Sequence, residues 1–181
     1  MTTALPEGPA QTARRARAAT DWRRFAAMLG LVALPVFLLD QLVKVYIVRH
    51  LQLFEQIDVV PHWLAITYTL NSGAAFSLFA TLGPAVRGII LDGLAAAAVV
   101  VLGVLLARGA RPPIVSAAFA LILGGAAGNL LDRVVRGRVV DFIYVHYYSW
   151  SYPVFNLADS AITIGVAIIL LHSMFADDAD A

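Results

Sequence analysis

Four stretches of this chain stay apolar for about the 20 residues that a helix needs to cross a bilayer, and no other feature restricts its fold as strongly. The first covers about Arg24 to Ile47, the second Val86 to Ala107, the third Ile114 to Leu131 and the fourth Asn156 to Phe175. Together they use about half of the 181 residues and leave no room for a separate soluble domain. Composition agrees. Sixty per cent of residues are hydrophobic, 14% are charged and the mean hydropathy is +0.79, against about 25% charge in a soluble domain. The expected class is an all-α membrane protein of four transmembrane helices, with a small extracytoplasmic β-sheet between helices one and two.

The net charge of +1 gives no support for nucleic-acid binding, but the placement of the arginines suggests a topology. Arg14, Arg15, Arg17, Arg23 and Arg24 precede the first span, and Arg108 and Arg111 separate the second from the third. Positive loops stay in the cytoplasm, so both termini are expected there, with both long connections outside. Arg133, Arg136 and Arg138 lie on the outer side in this arrangement, which suits a chemical role better than a topological one. The apolar run continues past Leu39 through Asp40, Gln41 and Lys44 with no small-residue cleavage site, so it reads as an uncleaved helix rather than a signal peptide. The chain has no cysteine, which excludes disulfides, thiolate nucleophiles and cysteine metal sites.

Residues 1–20 lack apolar periodicity and read as a disordered cytoplasmic tail; residues 177–181 form a short acidic tail. In the first long connection, Leu51–Ile57 and Leu64–Leu70 carry β-branched and aromatic residues in partial alternation and are expected to form strands. Asn71-Ser72-Gly73 ends the second strand as a turn, and Ala74–Phe79 leads back to the bilayer. The second connection carries Tyr144, His146, Tyr147, Tyr148, Trp150 and Tyr152, residue types that favour the headgroup layer and fit an interfacial belt better than a ligand cage.

The polar residues near the membrane carry the chemistry. Asp141 lies in Val139-Val140-Asp141-Phe142-Ile143, and Asp159 follows Phe155-Asn156-Leu157-Ala158. A carboxylate within a bilayer costs a few kcal/mol, so it marks a functional site with a partner. Water-activating aspartic proteases pair two such groups. Asn-x-x-Asp occurs twice, at Asn129–Asp132 and Asn156–Asp159, and on a helix each Asn shares a face with its Asp. The second copy fits a helix N-cap as well as it fits catalysis. The first stands at a helix C-terminus, where a cap cannot explain a carboxylate; Asp132 is expected to pair with Arg133 or Arg136. Asp40 and Lys44, spaced i, i+4, read as a structural ion pair. Asp92 has no assigned role. Gly124-Gly125-Ala126-Ala127-Gly128 offers close helix packing. There is no nucleophile elbow and no zinc-protease motif, and the four histidines are scattered, so neither a metal site nor a cofactor is expected. A transporter relaying ions through Asp141 and Asp159 would place acids throughout the membrane depth, whereas these cluster at one side.

Taken together, five blocks resemble lipoprotein signal peptidase, the type II signal peptidase of bacteria. They are Asp40–Lys44, Asn71–Ser77, Gly125–Arg133, Gly137–Ile143 and Phe155–Ile162, occurring in family order over about residues 25–175. The resemblance implies an inner-membrane aspartic endopeptidase occupying residues 21–176. Its substrate would be a prolipoprotein carrying diacylglycerol on a cysteine, cut on the N-terminal side of that cysteine, with membrane lipids as the other partner. By the same resemblance Asp141 and Asp159 match the catalytic pair, and Asn71, Asn129, Asp132, Arg133 and Asn156 the supporting polar residues. The motifs show no departure from the family pattern; the arginine-rich tail is an addition.

Overall fold

The computed structural model describes residues 21–73, 83–109 and 111–176. The two terminal tails and the Ala74–Phe79 return lie outside the described residues. Among the described residues, four helices are long and apolar enough to cross a membrane: α1 at Asp21–His50, α2 at Pro84–Ala107, α3 at Pro113–Arg136 and α4 at Leu157–Ala176. Each expected span is present. Proline at the first turn of α2 and α3 starts those helices without wasting a backbone donor. Gly137, with φ of 71°, ends α3 in the left-handed conformation, its N–H bonded to the Arg133 carbonyl at 2.9 Å.

Inside α1, Leu29–Ala33 forms a π turn just before Pro35. The chain is widened there, and α3 packs closely against the bulge because it presents glycine. A Cβ on Gly124 would lie 2.5 Å from the Ala33 carbonyl oxygen. The same ridge continues along α3: a Cβ on Gly125 would meet the Ala158 carbonyl oxygen at 2.5 Å and one on Gly128 the Asp40 carboxylate at 2.7 Å. The small-residue stretch thus lets α3 approach both α1 and α4, as lipid-phase packing requires.

The sheet differs from the sequence expectation in two ways. Its strands run β1 (Gln56–Val60), β2 (Leu64–Asn71), β3 (Val139–Tyr147) and β4 (Trp150–Ser151) in that spatial order, all antiparallel. First, β1 starts at Gln56 rather than Leu51. The Leu51 N–H caps α1 on the Ile47 carbonyl, and Phe54 takes a φ of 67°, incompatible with a strand. Second, the sheet is not confined to the connection between helices one and two, because β3 and β4 come from the later one. Ile47, Val140 and Phe142 form the buried cluster between sheet and helices.

Candidate active site

Asp141 sits in β3 directly opposite Thr69 of β2. Asn71, two residues on, is its diagonal neighbour on the same face, and donates from Nδ2 to Asp141 Oδ2 at 2.9 Å. On the other side Phe155 pairs with Ile143 through three backbone hydrogen bonds involving Phe142 and Ile143. That pairing sets Asn156 beside Asp141, where Asn156 Nδ2 donates to Asp141 Oδ1 at 2.6 Å.

Asn156 also starts α4. Its Oδ1 accepts from the Asp159 N–H at 2.9 Å, and Asp159 Oδ2 accepts from the Asn156 N–H at 3.3 Å. This is a reciprocal capping box. The cap and the site are therefore the same residues, and the two readings of Asn156-x-x-Asp159 do not compete. A further first-turn donor of α4, the Ala158 N–H, bonds Asp40 Oδ1 at 3.0 Å, so a carboxylate from α1 meets the positive end of α4.

Asn129 behaves differently from the expectation. It does not orient Asp132, its neighbour three residues on. Its Nδ2 donates to Asp159 Oδ1 at 2.8 Å, and its Oδ1 accepts from Lys44 Nζ at 2.9 Å and Asn156 Nδ2 at 3.2 Å. Asp132 pairs with Arg136, not Arg133, and also with Lys44 at 2.9 Å; its Oδ2 accepts from the Val140 N–H at 3.2 Å, tying α3 to the first turn of β3. Lys44 completes the cluster with Asp40 at 2.8 Å. The ion pair expected at Asp40–Lys44 is thus one edge of a larger network, in which Asp40, Lys44 and Asp132 are fully buried. Burying charges is tolerable only when they are paired and hydrogen-bonded throughout, a condition these three meet.

Burial pushes the Asp141 carboxyl up to about 6 from its usual 3.8. The bond from Asn71 opposes that rise, the charge of nearby Asp159 adds to it, and Asn156 and Lys44 oppose it more weakly. Two neighbouring carboxylates, one of them buried, resist ionising together.

Arg133 faces away from this network and pairs with Asp92 of α2, Nε to Oδ1 at 3.7 Å. Asp92, without an assigned role in the sequence, thus has a partner within a span. Gln41 is a residue that sequence reasoning passed over: its Nε2 reaches the Gly128 carbonyl at 3.0 Å and Asp40 Oδ2 at 3.2 Å. The signal available was its place between Asp40 and Lys44. Residues from α1, β2, α3, β3 and the start of α4 therefore converge on two aspartates at the sheet end of the bundle. The expected residues assemble there, Arg133 at the periphery.

The same chain segments match a protein-family model. Residues 32–175 fit the model described as Signal peptidase (SPase) II. The chain belongs to the signal peptidase II family. Among its relatives is a lipoprotein signal peptidase from Syntrophotalea carbinolica, 45% identical over 146 residues, covering 80% of this chain and 89% of the relative. One from Pseudomonas aeruginosa is 43% identical over 149 residues, covering 80% and 85%. Two solved structures described as bacterial membrane enzymes superpose with TM-scores of 0.69 and 0.72, at 32% and 30% identity. The first match covers 78% of this chain and 88% of the other; the second covers 83% and 88%. As a member of the signal peptidase II family, the chain is a protease with transmembrane helices.

Proposed function

We propose that the protein is an aspartic endopeptidase that removes the signal peptide from diacylglyceryl-modified prolipoproteins, cutting before the lipidated cysteine, with Asp141 and Asp159 as the catalytic pair. One observation carries this reading: a single residue, Asn156, hydrogen-bonds both aspartates, holding them together at the sheet end of the bundle. In the reaction the ionised carboxylate of the pair takes a proton from water as the water oxygen attacks the scissile carbonyl carbon. The protonated carboxyl donates to the carbonyl oxygen as it gains negative charge. Collapse of the tetrahedral intermediate breaks the C–N bond, the leaving amine receives the proton taken from water, and the re-forming carbonyl returns the other proton to the carboxylate that gave it.

Asn71, Asn129 and Asn156 hold the carboxylates in register in this scheme. Asp132 holds the network beneath them. Arg133 and Asn71 serve the substrate backbone carbonyls. The site faces the outer side of the cytoplasmic membrane, with both termini inside, so that water reaches the aspartates while the substrate's acyl chains stay in lipid. The exposed rings of Trp63, Tyr147, Tyr148, Trp150 and Tyr152 at the sheet rim suit a headgroup layer.

The test is cleavage of a diacylglyceryl-modified prolipoprotein by purified wild-type protein, Asp141→Asn and Asp159→Asn in detergent. Loss of at least about 10³-fold in both variants, with unchanged folding, is expected, because neither half of the proton exchange can then proceed. Full activity in either variant removes that aspartate from the pair.

A further inference from the structure

We propose that Lys44 is a positioning residue for the aspartate pair, acting through the Asn129 carboxamide to fix the donor that faces Asp159. The inference rests on the aspartic-peptidase reading and goes beyond it, since an ion pair that merely braced the helices would need only Asp40 and Asp132. Lys44 Nζ has three donors and no acceptor. Two go to Asp40 Oδ2 at 2.8 Å and Asp132 Oδ2 at 2.9 Å, and the third goes to Asn129 Oδ1 at 2.9 Å. With Asn156 Nδ2 also on that oxygen at 3.2 Å, both of its lone pairs are taken. The amide nitrogen must then point the other way, where it meets Asp159 Oδ1 at 2.8 Å.

A carboxamide is nearly symmetric in shape, so only its partners decide which end faces a carboxylate. Asn156 is fixed by the backbone: its Oδ1 is held by the Asp159 N–H, which turns Nδ2 to Asp141. Among the described residues Asn129 has no such backbone contact, and an ammonium, which cannot accept, takes the place of one. The charged groups around Lys44 are Asp40 on its own helix, Asp132 with its partner Arg136 on α3, Asp159 on α4 through Asn129, and Asp141 on β3. Asp40 and Asp132 are balanced by Lys44 and Arg136, so the orientation of Asn129, rather than a net charge behind it, acts on the aspartate pair. Without Lys44, only the longer bond from Asn156 Nδ2 holds the Asn129 oxygen, which can then turn toward Asp159, an arrangement that requires a proton between them. The pair then holds its protons to higher pH.

The experiment compares wild type, Asp40→Asn and the double variant Asp40→Asn/Lys44→Met, which removes the acid and the base together. Two quantities are read: the acid limb of the pH–rate profile on a lipidated prolipoprotein, and the infrared titration of buried carboxyl C=O bands in the purified protein. The expected result is an acid limb and infrared midpoint near wild type for Asp40→Asn, and both raised by about one pH unit in the double variant, the effect of losing a hydrogen bond to the ionised carboxylate. Lower amplitude at an unmoved pH in both variants overturns the proposal and leaves Lys44 a brace. If the double variant does not fold, Asp40→Asn/Lys44→Leu, charge-balanced in the same way and equally without a donor to Asn129, carries the same expectation. A wild-type protein that fails to cleave overturns the peptidase reading, while the infrared midpoint still decides the role of Lys44.

Discussion

α1 and α3 meet at two glycines one turn apart, and the two contacts are built from opposite chemistry. At Gly124 the facing atom is the Ala33 backbone carbonyl of the π turn, within a cluster of Leu106, Ala120 and Leu123. At Gly128 it is the carboxylate of Asp40, which leads into Lys44, Asp132, Asn129 and the two aspartates. One end is held by van der Waals contact at short range, the other by charges that cannot reach water. The first tolerates changes of chemistry but not of volume. The second tolerates neither, because removing one member leaves another buried and unpaired. Such a difference puts rigidity where proton positions matter.

The largest effect that would sharpen this contrast belongs to Asp132. Asp132→Ala leaves Lys44 and Arg136 without a carboxylate they share and frees the Val140 N–H. A loss of about 3–5 kcal/mol is expected, measured as the denaturant midpoint in detergent; a loss below about 1 kcal/mol would break the distinction between the two ends.

Next comes the pH dependence of stability. Asp141 holds its proton up to about 6 in the folded protein, against 3.8 ordinarily. The folded state therefore binds that proton more tightly than the unfolded state. Its contribution favours folding below about 3.8 and fades as the pH rises through about 6, leaving up to about 3 kcal/mol less at neutral pH. Wild type should lose stability relative to Asp141→Asn across that window; parallel melting curves at pH 4, 5, 6 and 7 would rule the idea out.

The smallest effect tests the apolar end. Gly124→Ala forces a Cβ against the Ala33 carbonyl oxygen and is expected to cost about 1–3 kcal/mol. Gly30→Ala, in the same π turn but with open space around its Cβ position, should stay within about 1 kcal/mol of wild type. Equal thermal midpoints for the two variants would show that the α1–α3 contact is looser than drawn.

The reading of the sequence was most secure where a single segment settles the matter. Four apolar spans announce themselves by length, because lipid forces each to satisfy its own backbone. The glycine ridge, the Asp40–Lys44 spacing and the two aspartates are local patterns too. β3 is also written locally, as a run of β-branched and aromatic residues from Val139 to Tyr147, but those aromatics equally suit a membrane interface, which hides the strand. Composition puts the start of β1 five residues early, because Leu51–Glu55 has strand composition while the end of α1 and the positive φ of Phe54 need a turn there.

The sequence by itself determined which residues are polar where lipid forbids it, and hence which residues a site must be made from. Only the tertiary structure decided how they are joined. Asn129 reaches 30 residues along the chain to Asp159 instead of three to Asp132, and Asn71 crosses 70 residues to Asp141. Helical spacing limits which neighbours can meet. Burial, which leaves no water to complete a hydrogen bond, decides which of the distant ones must.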